Sequence, residues 1–133
     1  MARTSKKMEK AAEEKVWKAG IYARLSVDSN ERKNESIDTQ IDIAKNFINQ
    51  ATDIDLLECY TDLGETGTDF NRGGFEHMMT DIRQKRINCI VVKDFSRFGR
   101  NYIETGNYIE KIFPFMKVRF IAVTDGYDSE NIN

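Results

Sequence analysis

INCIVVKDFSRFGRN, residues 87–101, is the stretch of sequence that decides the fold class. Its first seven residues form an apolar run, which is typical of a central strand covered on both faces of a parallel sheet. Polar and cationic residues follow directly and begin a helix. The stretch therefore predicts a strand-to-helix junction at the centre of an α/β domain.

The segments on either side of this stretch continue the pattern. Apolar and polar residues alternate over 18–26, which predicts a first strand, and Ser36 is a suitable N-cap for an amphipathic helix over 37–50. We expect the helix behind the central strand to end at Pro114, the only proline of the chain. The other predicted elements are a second strand, a short helix and a fourth strand, over 55–62, 75–84 and 118–123. This alternation predicts an α/β domain with a mainly parallel sheet of four to five strands and right-handed crossovers.

Length and composition set further bounds. The 133 residues suit one domain over 18–133, behind a polar arm over 1–17. No apolar run approaches the roughly 20 residues of a membrane span, and no secretory signal is visible, so we expect a cytoplasmic protein without a membrane partner. Cys59 and Cys89 lie in apolar segments without CxxC or Cys/His pairing, and we expect both to be reduced core residues.

Charge is distributed unevenly along the chain. The formal net charge is −2, which argues against strong DNA binding by this segment alone. Residues 85–100 nevertheless carry five basic residues and one acid, whereas residues 52–70 carry six acids and no lysine or arginine. Local positive charge of this kind suits a site that handles phosphate. A solvated surface is the alternative explanation.

Ligands of open α/β sheets bind beyond the carboxyl ends of the strands, so the residues at these ends are the first candidates. Arg24 and Ser26 share one face of the first predicted strand, about 7 Å apart at Cα. A serine hydroxyl is a poor nucleophile without help, and a nearby arginine can hold a phosphate against it. An ordinary serine beside a surface arginine is the alternative.

The segment behind the central strand strengthens the phosphate hypothesis. Arg97 and Arg100 are three residues apart and should project from one side of the first helical turn, which suits bidentate phosphate contacts. Phe95 and Phe98 have the same spacing, and we expect them to anchor the turn in the core. Lys93 adds a cation at the end of the strand. Scattered surface charge at a helix start is the alternative.

Two more polar residues are candidates. Arg72 ends the glycine-rich loop LGETGTDFNRGG (63–74), whose glycines would allow this arginine to close over a substrate. Gln40, in the first turn of the first helix, is suited to bind a serine or a phosphate. Each of the two side chains is alternatively a solvent-facing group.

Several catalytic classes lack their required residues. His77 is the only histidine and lies in a predicted helix with Met78 and Met79, so no histidine partner is evident for Ser26, which argues against a Ser-His-Asp hydrolase. The P-loop and dinucleotide fingerprints are missing, as is a His/Cys cluster for zinc.

The ordered set YARLS, SIDTQ, YTDLGETGTDFNRGGF and VVKDFSRFGRN resembles the catalytic domain of the serine recombinases, the resolvase/invertase family. The spelling KDFSRFGR is most similar to the large serine recombinases and to transposases of Gram-positive mobile elements. The resemblance covers Lys18 to Gly126 and implies a three-layer, flavodoxin-like (resolvase-like) fold.

The resemblance also implies roles for individual residues. The nucleophile falls on Ser26, the glutamine of the site on Gln40, and its acidic residue on Asp62. The phosphate-binding arginines fall on Arg24, Arg72, Arg97 and Arg100. This chain departs from the small resolvases at one position, because Ser96 stands where they have the Asp of DRLGR, while Asp94 lies two residues earlier. The acid that protonates the leaving oxygen is therefore left unassigned.

The reaction that the resemblance implies is transesterification in double-stranded DNA. Ser26 would become linked to the 5′ phosphate and release a 3′ hydroxyl, which later rejoins the strands within a synaptic tetramer made of two homodimers. The linkage stores the bond energy, so neither ATP, metal nor another cofactor is implied. The family places a dimerising helix and a DNA-binding region after the fourth strand, where this chain ends. We therefore expect this chain to bind DNA weakly and not to recombine alone.

Two other function classes remain open at this point. A metal-dependent nuclease or phosphotransferase would bind Mg²⁺ through Asp62 and Asp94 at adjacent strand ends. A non-catalytic α/β interaction module would explain the fold but would leave the pair Arg97 and Arg100 as a coincidence.

Overall fold

A computed structural model describes residues 16–25, 36–63, 72–99 and 101–131. The strands are β1 (Trp17–Leu25), β2 (Ile54–Leu63), β3 (Cys89–Val92), β4 (Arg119–Ala122) and β5 (Tyr127–Asp128). They form one sheet in the order β2-β1-β3-β4-β5, with β1 to β4 parallel and β5 antiparallel. The helices are α1 (Ile37–Gln50), α2 (Gly73–Arg83), α3 (Tyr102–Asn107) and α4 (Phe113–Met116), with a 3₁₀ turn (Phe95–Arg97) before α3 and a π-helical turn (Tyr108–Ile112) between α3 and α4.

An apolar core lies on each face of the sheet. Ala44 of α1 packs with Ile21 of β1 on one face. On the other face, Tyr22 of β1 packs with Phe75 of α2 and Phe113 of α4. Successive side chains of a strand point to opposite faces, which is why neighbouring residues of β1 belong to different cores. This three-layer arrangement around a mainly parallel sheet confirms the predicted fold class.

The first helix has the predicted bounds because its start is encoded locally. Ser36 Oγ accepts a hydrogen bond from the backbone N–H of Thr39 at 3.0 Å, and α1 covers residues 37–50 as expected. The N-cap satisfies one of the backbone donors that a helix start leaves open. Trp17 already belongs to β1, one residue before the predicted start of the strand.

The prediction that Pro114 ends the helix behind the central strand is wrong. The π-helical turn comes first, and Pro114 then lies in the first turn of α4, where a missing N–H is tolerated. The helix ends at Lys117, whose φ of 62° is left-handed. Val118 N donates to Phe113 O at 2.8 Å, and Lys117 N donates to Pro114 O at 3.1 Å, which together form a Schellman cap.

The two cysteines differ in burial. Cys89 is fully buried in β3, as predicted, and burial raises the pKa of its thiol to about 12. The prediction that Cys59 is a core residue is wrong, because this side chain is exposed. Cys59 belongs to β2, which is an edge strand of the sheet and is not covered as a central strand is. None of the helices in the described ranges is long and apolar enough to cross a membrane.

Candidate active site

Arg24 ties the end of β1 to the segment behind β3. Its Nη2 donates to the carbonyl oxygens of Ser96 at 2.8 Å and Gly99 at 3.2 Å. These contacts join residues more than seventy positions apart in the chain. The predicted junction behind the central strand therefore lies directly beside the end of the first strand.

Gln40 fixes the backbone at the end of β1. Its Oε1 accepts from the Arg24 N–H at 3.1 Å, and its Nε2 donates to the Arg24 carbonyl oxygen at 3.0 Å. The amide thus serves both backbone groups of one residue, as a neighbouring strand would. Gln40 is 1% exposed, so the alternative of a solvent-facing side chain is wrong. Ser26 lies two residues after Arg24 in the sequence.

Asp62 is a buried cap for the start of α2. Oδ1 accepts from the N–H of Gly74 at 2.7 Å, and Oδ2 accepts from the N–H of Phe75 at 2.9 Å. Oδ2 also accepts from the Tyr22 hydroxyl at 2.7 Å. Burial, followed by the hydrogen bond to Asp62, raises the pKa of Tyr22 well above its ordinary value. The carboxylate therefore fixes the start of α2 against β1.

Arg72 is held from two directions. Its Nη1 lies 3.0 Å from Glu104 Oε2, and its guanidinium carbon lies 3.8 Å above the centre of the Phe75 ring. The sequence predicted this arginine at the end of a loop extending to residue 74, with the helix starting at 75. The helix instead starts at Gly73, directly after Arg72. A Cβ on Gly74 would collide with the Thr61 carbonyl oxygen, so glycine lets α2 start this close to β2.

Arg97 lies in the 3₁₀ turn rather than in the predicted first turn of an α-helix. It is 7% exposed, and its N–H donates to Asp94 Oδ1 at 3.2 Å. Phe98 is fully buried and Phe95 is partly buried against the same core, so the prediction that both anchor this turn is confirmed. The next helix begins only at Tyr102.

Two of the predicted site arginines act electrostatically on a third. Burial lowers the pKa of Arg24, and the positive charges of Arg97 and Arg72 lower it further. Among the described residues, no acceptor lies within hydrogen-bond distance of Arg24 Nε. Three guanidinium groups from three separate segments therefore converge near the carboxyl end of β1, where their mutual repulsion favours a bound anion.

Asp94 organises the turn behind β3. Its carboxylate accepts from the Ser96 hydroxyl at 2.7 Å and from Lys93 Nζ at 3.0 Å. Burial alone would raise the pKa of Asp94, but the hydrogen bonds from Ser96 and Lys93 hold it below its ordinary value. An ionised carboxylate is a poor proton donor, so this geometry does not favour Asp94 as the acid for a leaving oxygen.

The premise of the metal-dependent alternative is wrong on one point. Asp62 is the second-last residue of β2 and Asp94 follows β3, but β1 lies between these two strands. Both carboxylates also accept protein hydrogen bonds. Within the ranges that the structure describes, no three His, Cys, Asp or Glu side chains form a group that could hold a metal ion.

Two of the predicted site residues, Ser26 and Arg100, lie outside the described residues. Glu104 was not predicted as part of the site. Asn101 and Glu104 have the spacing of a capping box, which signals a helix start, and Asn101 Oδ1 does accept from the Glu104 N–H at 2.8 Å. The Glu104 carboxylate, however, pairs with Arg72, thirty-two positions away, and no local sequence pattern predicts that contact.

Known proteins share this fold. The family model described as "Resolvase, N terminal domain" matches residues 19–133. The chain belongs to the resolvase family. As expected of this family, its fold is shared with catalytic domains of serine recombinases, and the resemblance seen in the sequence is confirmed. A comparison with curated proteins found no match.

Three solved structures show the likeness of this resolvase-family domain. The N-terminal catalytic domain of TP901-1 integrase is 26% identical, with a TM-score of 0.71 over 86% of this chain and 82% of that one. A resolvase family site-specific recombinase from Streptococcus pneumoniae is 27% identical, with a TM-score of 0.69 over 88% and 78%. The C-terminal catalytic domain of ISC1926 TnpA, an IS607-like serine recombinase, is 25% identical, with a TM-score of 0.60 over 80% and 70%.

Proposed function

We propose that this resolvase-family domain cleaves DNA by attack of Ser26 on a phosphodiester. The observation that carries the proposal is the convergence of Arg24, Arg72 and Arg97 at the carboxyl end of β1. Ser26 is the first residue after that strand in the sequence. A hydroxyl there would lie beside the charges that hold and activate a phosphate.

The reaction conserves the phosphodiester bond. The Ser26 Oγ–phosphorus bond forms while the bond from phosphorus to the 3′ oxygen breaks, and the electron pair leaves with that oxygen. The serine hydroxyl loses its proton and the 3′ oxygen gains one, so no net proton is released. The products are a 5′-phosphoserine linkage and a 3′ hydroxyl. In the reverse sense, a 3′ hydroxyl attacks the linkage and releases the serine, so strands exchanged between the two steps are rejoined without hydrolysis of a nucleotide.

The arginines supply stabilisation that increases as the reaction proceeds. Negative charge builds on the non-bridging oxygens and on the leaving oxygen, and fixed guanidinium donors stabilise it without reorganising. Removing one such donor costs about 10²- to 10³-fold in rate. Gln40 contributes indirectly in this proposal, because it fixes the backbone from which Arg24 and Ser26 extend.

The proposed partner is double-stranded DNA, handled by a homodimer that pairs into a tetramer when two sites come together. The net charge of −2 gives this domain little general attraction for the phosphate backbone. We therefore expect weak DNA binding by the 133-residue chain. Because DNA is its substrate, we also propose a cytoplasmic location.

The proposed reaction is testable without knowing the DNA target site. Thymidine 5′-(4-nitrophenyl phosphate) is a diester in which 4-nitrophenolate replaces the 3′ oxygen as leaving group, and it departs without an acid. In EDTA, the chain should release one equivalent of 4-nitrophenolate and gain the mass of one thymidylyl group. Ser26→Ala should release none.

Matched arginine variants separate the site from general charge. Arg97→Lys keeps the charge but loses the planar fork, and it should react about 10²- to 10³-fold more slowly. Arg83→Lys, at an exposed position near the end of α2, should react within about twofold of the wild type. Release that requires Mg²⁺ and persists in Ser26→Ala would overturn the proposal in favour of a metal-dependent enzyme.

A further inference from the structure

We infer that Glu104 is a positioning residue for this site: its carboxylate holds the Arg72 guanidinium where a phosphate is to bind. The inference rests on the proposed function. Glu104 Oε2 lies 3.0 Å from Arg72 Nη1, and the two side chains are 20% and 12% exposed. An ion pair with so little exposure to solvent has a better defined geometry than an exposed pair.

Two contacts fix the Arg72 guanidinium, and the Glu104 carboxylate supplies one of them. The Phe75 ring supports the face of the guanidinium at 3.8 Å, while Glu104 contacts its edge through Nη1. Phe75 is itself 2% exposed and packs edge-on against Tyr22 with ring centres 5.8 Å apart. The position of Arg72 is therefore set relative to β1, the strand that carries Arg24.

Electrostatics explain why an acidic residue is needed here. Burial lowers the pKa of Arg24, and the positive charges of Arg97 and Arg72 also act to lower it, while Tyr22 and Asp62 act to raise it. The Glu104 carboxylate, 3.0 Å from Arg72 Nη1, places a negative charge beside Arg72 and offsets part of this repulsion. A guanidinium has five N–H donors, and Glu104 contacts it through one nitrogen, so the carboxylate orients the group without enclosing it.

The Glu104 side chain is not part of the apolar core. α3 lies wholly within the described ranges, and none of its six residues is buried. The start of α3 is capped by Asn101 Oδ1, which accepts from the backbone N–H of Glu104. This cap does not involve the Glu104 side chain. Replacing the side chain should therefore leave both the helix start and the packing of the domain intact.

The test compares Glu104→Ala and Glu104→Gln with Glu110→Gln, an exposed acidic residue of the following π-helical turn. At saturating thymidine 5′-(4-nitrophenyl phosphate), Glu104→Ala should form the thymidylyl adduct about 10- to 100-fold more slowly, because a displaced binding group costs rate rather than affinity. Glu104→Gln keeps an oxygen acceptor, so its rate of adduct formation should fall less. Glu110→Gln should match the wild type.

Two further readouts separate positioning from a structural role. Because the pair is largely shielded from solvent, the urea midpoint of Glu104→Ala should fall by about 1 M, which leaves the domain folded under the assay conditions. The NMR order parameter of the Arg72 Nε–H group should fall in Glu104→Ala and stay high in Glu110→Gln. An unchanged or faster rate in Glu104→Ala would overturn the inference, whereas a wild type that forms no adduct would overturn the proposed function and this inference with it.

Discussion

Gln40 offers a quantitative test of how the end of β1 is held. Gln40→Met keeps the length of the side chain and removes its amide, so the Arg24 N–H and carbonyl lose partners at 3.1 and 3.0 Å. A lost hydrogen bond costs about 1 kcal/mol net, and each buried backbone group left without a partner costs about 1–3 kcal/mol. Because these bonds are only partly buried, we expect a total near the lower end, about 2–4 kcal/mol.

Urea unfolding followed by circular dichroism measures this loss. Small proteins lose about 1–3 kcal/mol of stability per molar urea, so the midpoint of Gln40→Met should fall by about 1–2 M with little change in slope. Gln50→Met is the matched control, because Gln50 is an exposed residue at the end of the same helix and should change stability by less than about 0.5 kcal/mol. Equal midpoints for the two variants would refute the role assigned to the Gln40 amide.

Two further predictions concern backbone approach and pH. Gly74→Ala should lose about 1–3 kcal/mol in urea unfolding, because its Cβ collides with the Thr61 carbonyl oxygen, whereas Gly106→Ala, with open space around it in α3, should gain about 0.5–1 kcal/mol; equal effects would contradict the packing of α2 on β2. Burial acts to raise the pKa of Asp128, but hydrogen bonds from Arg119 outweigh this effect and hold the pKa below its ordinary value. The carboxylate therefore adds stability that is present above about pH 4 and is lost as the pH falls further. Asp128→Asn should therefore lose less stability than the wild type between pH 5 and pH 3, and parallel profiles would contradict this.

Local signals explain which elements were predictable. Ser36 and the apolar spacing behind it contain all that α1 needs, and its bounds match the prediction. The turn behind β3 differs because distant residues shape it. Asp125 Oδ2 accepts from the Phe95 N–H at 2.8 Å, and Arg24 holds the carbonyl of Ser96. These contacts favour a 3₁₀ turn where the sequence alone indicates an α-helix.

Strand order accounts for two of the errors. A sequence shows that strands alternate with helices, but it does not show which strand lies at an edge. Because β2 is an edge strand, Cys59 is exposed although its segment is apolar, and β1 separates Asp62 from Asp94. The role of Glu104 was missed for a related reason, since its partner Arg72 belongs to another element.

The localisation of the covalent adduct tests the central claim most directly. After reaction with thymidine 5′-(4-nitrophenyl phosphate), trypsin should release residues 25–32 as one peptide that contains both Ser26 and Ser29. Fragmentation in the mass spectrometer then distinguishes the two serines. The account predicts the thymidylyl group on Ser26, the residue that follows β1 in the sequence. A group found on Ser29 or on another residue, or no adduct at all, would contradict it.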